Sequence, residues 1–162
     1  MQEFVVRRAV PTDAASVATM FNGLDLEDLG DEALCPFDTE NVLRDAIADD
    51  AILTTEVAVG DGQVIGVAAH NLTYHAETAS PARWLEMLFV DPTWRSRGVG
   101  RALMQAVAAA ALEGGCDAVF WGVRQTNDRG ARFYDSLGAG NEEADIRVLL
   151  ESNLNRLAAL GQ

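Results

Sequence analysis

Three arginines, Arg95, Arg97 and Arg101, fall within seven residues of a 162-residue chain, interleaved with Gly98 and Gly100. The string Arg95-Ser96-Arg97-Gly98-Val99-Gly100-Arg101 follows an apolar run, Trp84 to Val90, and a stop at Asp91-Pro92. An Ala-rich run, Ala102 to Leu112, follows it. A buried strand feeding a Gly-rich turn at a helix start has a physical meaning. Glycines let backbone N–H groups approach a ligand closely, and the unpaired donors of a first helical turn attract anions. The expected ligand carries phosphates, held by the N–H groups from Ser96 to Arg101 and by the three guanidinium charges. A merely solvated basic turn is the bland alternative. A dinucleotide fingerprint would place a third glycine where Leu103 stands, so a nicotinamide or flavin site is disfavoured.

Other side chains able to do chemistry are few. Glu86 sits inside the apolar run, two residues before Leu88, so strand alternation predicts one face for both. A carboxylate buried there needs a partner or a role. It is either half of an ion pair or a catalytic base. His70 and His75 are weaker candidates, each read first as a polar strand residue. All twelve basic residues are Arg, which removes any lysine-based phosphate loop, Schiff base or Ser–Lys dyad. Cys35 and Cys116 are far apart and outside any C-x-x-C pattern, so neither a metal site nor a disulfide framework is expected.

These residues need elements to position them. Phe4 to Val10 reads as a strand. Pro11-Thr12-Asp13 starts a helix capped by Thr12 or Asp13, with Val17, Met20, Phe21 and Leu24 at helical spacing. Asp25 to Glu40 holds seven acidic residues and no basic one, and reads as a loop with a solvated surface. Asp38 or Thr39 caps a second helix ending near Ala48. Ala51–Val59 and Gln63–His75 are strands joined by Gly60-Asp61-Gly62, a hairpin signal. Thr78–Arg83 reads as a loop before the Trp84–Val90 strand. The helix from Gly98 to Leu112 stops at Gly114-Gly115. The unbroken apolar run Ala118–Val123 suits a strand buried on both faces and parallel to Trp84–Val90. Arg129–Ser136 is a helix introduced by Asn127-Asp128, Ile146–Leu150 a terminal strand, and Asn153–Leu160 a short helix. The fold class is α/β: a mostly antiparallel sheet with one parallel strand–helix–strand pair.

Length suits a single domain over residues 1–162 with a real core. A net charge of −13 argues against a general nucleic-acid or anionic-membrane binder and suits a cationic or neutral second substrate. The N-terminus lacks a signal-like apolar core and no apolar run reaches spanning length, so the chain reads as cytoplasmic.

The string Arg95, Gly98, Gly100, after a strand ending Val90-Asp91-Pro92 and before a long helix, resembles the acyl-CoA-binding motif of the GCN5-related N-acetyltransferases, the GNAT family. The likeness continues through Asn127, Ala131 and Phe133-Tyr134 to Leu137-Gly138 and covers roughly Phe4 to Leu150. It implies the GNAT fold and acetyl-CoA as co-substrate. Ser96, Arg97, Gly98, Val99, Gly100 and Arg101 then cradle the pyrophosphate with Arg95. Leu88, Phe89 and Val90 match the strand positions whose backbone meets the pantetheine arm, where two parallel strands part. The Leu88 N–H is the choice for polarising the thioester carbonyl. Asn127 matches a position that contacts the arm, and it also reads as a helix cap. Tyr134 matches the usual general acid, a phenol protonated near neutrality, with a buried structural Tyr as the alternative. Glu86 is the candidate base for the incoming ammonium, and the resemblance makes the acidic Asp25–Glu40 loop a wall of the acceptor site.

The segments Leu85–Val90 and Phe133–Ala139 look most like the diamine and polyamine branch, although the Trp which that branch places after Gly-Ala is missing from Gly140–Asp145. The implied activity is transfer of an acetyl group to a primary amine, with a small-molecule amine as partner. Acetylation of a protein or peptide, and a non-catalytic acyl-CoA-binding module, are the competing readings. The resemblance also admits a homodimer, to which the apolar C-terminal segment would contribute.

Overall fold

The computed structural model describes residues 3–142 and 147–159. Two compact units divide the chain, Met1–Arg124 and Gln125–Gln162. The first holds a five-stranded sheet in sequential order: β1 (Phe4–Arg8), β2 (Thr54–Gly60), β3 (Gln63–His75), β4 (Ser80–Val90) and β5 (Ala118–Phe120). The first four strands pair antiparallel and β5 joins β4 in parallel, so the mixed sheet read from the sequence is the one observed. The β2–β3 hairpin turns on Asp61 and Gly62, with φ of 50° and 74°. Both lie in the left-handed region that a two-residue turn of this hand requires.

Helices cover both faces. On one, α1 (Ala14–Leu29) buries Ala14, Val17, Ala18 and Phe21, at the 3–4 spacing of a single helical stripe. With α2 (Thr39–Val42), which runs on into a π turn at Leu43–Ile47, this stripe packs on Val57, Val67 and Ala69. Met87 and Phe89 of β4 lean on the same cluster. Asp38 caps α2, accepting from the Asn41 N–H at 2.8 Å. On the other face, α3 (Val99–Glu113) buries Val99, Leu103, Met104, Val107 and Ala111. It lies so near β3 that a Cβ on Gly66 would meet Leu103 Cδ1 at 3.1 Å. Burying a side chain such as Phe21 or Leu103 stabilises the fold by about 1.5–3 kcal/mol.

The second unit contains α4 (Asp128–Asp135) and α5 (Glu151–Ala159).

Several elements differ from the sequence-based expectations. Asp25–Leu29 is the last part of α1, because nothing stops the helix before Gly30 takes a φ of 56°. Asp13 precedes α1, yet its carboxylate turns back to the Val10 N–H at 2.8 Å and to Arg7 rather than capping forward. β4 begins at Ser80, inside the expected Thr78–Arg83 loop, because the turn closes early and pairs Ser80 with His75. β5 is shorter than Ala118–Val123. Residues 147–150 form no strand and are exposed, so the expected terminal strand is not found there; Ile146 lies outside the described residues. The short helix near the end is present as α5.

Candidate active site

β4 and β5 pair at only three positions: Ala82 with Ala118, Arg83 with Val119, and Trp84 with Phe120. There β5 ends, while β4 continues to Val90. One edge of β4 from Leu85 to Val90 therefore has no ladder partner among the described residues. Which peptide groups it offers follows from the other edge. Asp91 N–H donates to the Ile65 carbonyl at 2.9 Å, so in the same register Phe89 faces β3. Alternation then turns the peptide groups of Leu88 and Val90 toward the open edge. The Val90 carbonyl is capped by Arg95 Nε at 2.9 Å. The Leu88 peptide and the Val90 N–H are left directed along the gap, an edge to which an extended chain of amides can add as a strand would.

Past Val90 the chain turns on an Asp-Pro device. The Asp91 carboxylate accepts from the Thr93 N–H at 2.8 Å and from Thr93 Oγ1 at 2.6 Å. Those Thr93 bonds hold its pKa below the usual carboxylate value. Ser96 and Gly98 have φ of 63° and 86°, and Gly98 is the residue before the first turn of α3. Ala102 N–H is the first to find an intrahelical acceptor, the Gly98 carbonyl at 3.0 Å. The N–H groups of Val99, Gly100 and Arg101 thus face outward from the positive end of a 15-residue helix.

A cavity of about 540 Å³ opens at this helix end, lined in part by Arg97, Gly98, Arg101 and Gln105. Arg97 lies over the Trp94 ring at 4.9 Å and within 3.5 Å of Glu3. Arg95 is not among the cavity's lining residues. Its guanidinium turns the other way, over the Phe89 ring at 5.4 Å, to pair with Glu27 of α1. The three side chains therefore do not point one way: Arg97 and Arg101 border the cavity, and Arg95 links α1 to the end of β4.

A strand edge that opens beside an outward-facing helix N-terminus can hold a long ligand with amides at one end and phosphates at the other. A sequence model of the acetyltransferase (GNAT) family matches residues 21–139, most of the chain. The chain belongs to the GNAT family. Enzymes of this family are acetyltransferases that use acetyl-CoA. An aminoglycoside N(6')-acetyltransferase type 1 from Stenotrophomonas maltophilia is 33% identical over 116 residues, covering 68% of this chain and 69% of that protein. A thialysine N-epsilon-acetyltransferase from Sus scrofa is 26% identical, covering 86% and 85%. Among solved structures, an integron cassette protein from V. cholerae superposes with a TM-score of 0.80 at 23% identity, covering 98% of this chain and 99% of its own. An aminoglycoside acetyltransferase from a soil metagenome, solved with sisomicin, gives 0.73 at 16% identity, covering 92% and 97%.

In this GNAT enzyme the expected base stands differently from its sequence-based placement. Glu86 is exposed, not buried. Ala69 pairs with Met87 and His70 with Leu85, so the ladder skips Glu86 as a one-residue bulge. Strict alternation does not run through it. Bulges re-aim side chains, and this one brings a carboxylate out of an apolar strand just before the open edge.

Neither histidine reaches the gap. His70 is 0% exposed, and its ring nitrogens have no protein partner among the described residues. Burial first, then Arg83 and Arg8, lowers its pKa from 6.5 to about 4. His75 lies at the opposite end of β4 from Val90, paired with Ser80. Its Nδ1 meets the Asp117 carboxylate at 3.1 Å and its ring stands edge-on to Phe120.

The second unit carries the two remaining candidates. Asn127 Oδ1 accepts from the Gly130 N–H at 2.8 Å, so its capping role is real. Tyr134 is half-buried on α4, 5.1 Å from the Phe133 ring in an edge-on contact.

The acidic segment after α1 is ordered by two side chains that sequence reading passed over. Asn22 Nδ2 donates to the Phe37 carbonyl at 2.8 Å, and Asn22 Oδ1 accepts from the Phe37 N–H at 3.0 Å. Asp25 accepts from the Cys35 N–H at 2.8 Å. Glu27, Asp28 and Arg124 were also not singled out. The acidic run flagged the first two, but nothing local marks Arg124.

Proposed function

We propose that the enzyme transfers the acetyl group of acetyl-CoA to a primary amine on a small cationic acceptor, by direct attack in a ternary complex. The observation that carries this is the parting of β4 and β5 directly before the outward-facing N–H groups of α3. The pantetheine arm would lie along β4 with Leu88, Phe89 and Val90. The pyrophosphate would sit on the N–H groups from Ser96 to Arg101, with charge from Arg97 and Arg101. The Leu88 N–H would donate to the thioester oxygen as negative charge develops there.

The amine nitrogen attacks the thioester carbonyl carbon, the C–N bond forms and the C–S bond breaks. Glu86 first takes a proton from the bound ammonium, directly or through water, so that the neutral amine is the attacking species; Tyr134 gives its proton to the departing thiolate and regains the one the nitrogen loses as the amide forms. Asn127 contacts the arm. A net charge of −13 favours a cationic acceptor. So do relatives named for aminoglycosides and thialysine, both amine-bearing.

Thiol release from acetyl-CoA, measured over diamines, aminoglycosides, thialysine and N-terminal peptides, tests the proposal. Turnover with small polycations is the expected outcome. Turnover with peptides alone would move the acceptor to a macromolecule. Tight CoA binding with no turnover on any amine would leave a cofactor-binding module and refute the transferase mechanism.

A further inference from the structure

Two consecutive carboxylates near the end of α1 each take an arginine from a different side of the gap. Glu27 pairs with Arg95, whose Nε also holds the Val90 carbonyl at the end of β4. Asp28 Oδ2 accepts from Arg124 Nε at 3.2 Å, and Arg124 lies four residues past the end of β5. Neighbours on a helix point about 100° apart, so adjacent acids can reach two ways. α1 touches β4 a second time at Gly23, where a Cβ would meet the Phe89 ring at 3.0 Å.

Hydrogen bonding within the sheet does not set the spacing of the gap, because the β4–β5 ladder stops at Trp84 and Phe120. We infer that Glu27 and Asp28 bracket the mouth of the gap, holding the end of β4 and the segment after β5 at the separation that sets a thioester against the Leu88 peptide. They are positioning residues for the transfer step, and the inference rests on the acetyl-transfer reading of the gap. The side chains are partly exposed, 24% and 32% for Arg95 and Glu27, and 54% and 27% for Arg124 and Asp28. Ion pairs so placed contribute little to stability. Their removal should therefore alter geometry and rate without lowering the melting temperature.

The test uses the full chain with Glu27→Gln, Asp28→Asn, Arg124→Gln and the charge-swapped double variant Asp28→Arg/Arg124→Asp. Amide hydrogen exchange on the CoA-free proteins should show faster exchange at Phe120–Val123 in Asp28→Asn and Arg124→Gln, with recovery in the swap. With acetyl-CoA and 1,4-diaminobutane, kcat should fall about fivefold in each single variant, near the upper limit for an exposed pair, and recover in the swap. CoA affinity by calorimetry should stay within twofold. Unchanged exchange in the Asp28 and Arg124 variants would overturn the bracket. So would a rise in KM for the amine at constant kcat, which would give these carboxylates to acceptor binding. A wild type that binds no CoA would refute the acetyl-transfer reading instead, while the exchange data still decide the bracket.

Discussion

Replacing His70 with Leu should remove a pH-dependent weakness of the fold. The imidazole is fully buried on β3, and its pKa falls from 6.5 to about 4, through burial first and then the cations Arg83 and Arg8. The sign follows from proton counts. Between the two values the unfolded chain binds a proton at this site that the folded chain refuses, so stability falls as pH drops through that window. Above 6.5 both states are neutral and the site costs nothing. Taking the two pKa values, the loss reaches about 2 kcal/mol at pH 5 and about 3 kcal/mol at pH 4.

Glu56 works in the opposite sense: burial raises its pKa, with Arg8 opposing and Glu113 adding to the rise, so its contribution improves as pH falls. The informative quantity is therefore the difference between wild type and variant, which cancels Glu56 and the remaining carboxylates. Urea unfolding at pH 7.5 and pH 5 should show the wild type losing about 2 kcal/mol more than His70→Leu. At pH 7.5 the two should lie within about 1.5 kcal/mol, as volume-conserving core exchanges usually do. If both proteins lose the same stability over that interval, the imidazole is not held neutral in the fold and the reasoning fails.

Gly98→Asp should lower CoA affinity more than 100-fold by calorimetry, because a side chain at φ of 86° strains the turn and a carboxylate repels phosphate at the helix end. Tyr134→Phe should reduce kcat by about 100-fold, the usual scale for a lost general acid, while CoA affinity stays within twofold. If it instead lost CoA binding and kept its turnover, Tyr134 would be structural. Leu103→Ala, at a site with no exposure and in contact distance of the Gly66 position, should cost about 2–5 kcal/mol in urea unfolding.

The turn and helix start at Gly98 were legible because their signal is local. Two glycines and a strand stop dictate where the chain turns, and the outward direction of the first-turn N–H groups follows from helix geometry alone. The direction of a long side chain is not local. Arg95 stands in the same string as Arg97 and Arg101, yet a carboxylate 68 residues away on α1 draws it to the other side. The exposure of Glu86 escaped the sequence pattern for a related reason. Alternation predicted its face, but alternation assumes an unbroken ladder, and the bulge arises from how β3 and β4 fit together. The acidic run from Asp25 was read as loop because its composition is polar, whereas the helix simply continues until Gly30 allows it to stop. The apolar residues from Val148 to Leu150 have strand-like composition but no ladder partner among the described residues, and composition alone could not reveal that.

The gap closes at the three-pair junction between β4 and β5, and His75 and Asp117 clasp the sheet just behind it. Past that junction β4 runs on for six residues, roughly 20 Å, along β3. Ala82 is fully enclosed at the junction, so one added methyl group there would have to move one of the two strands at the place where the gap begins.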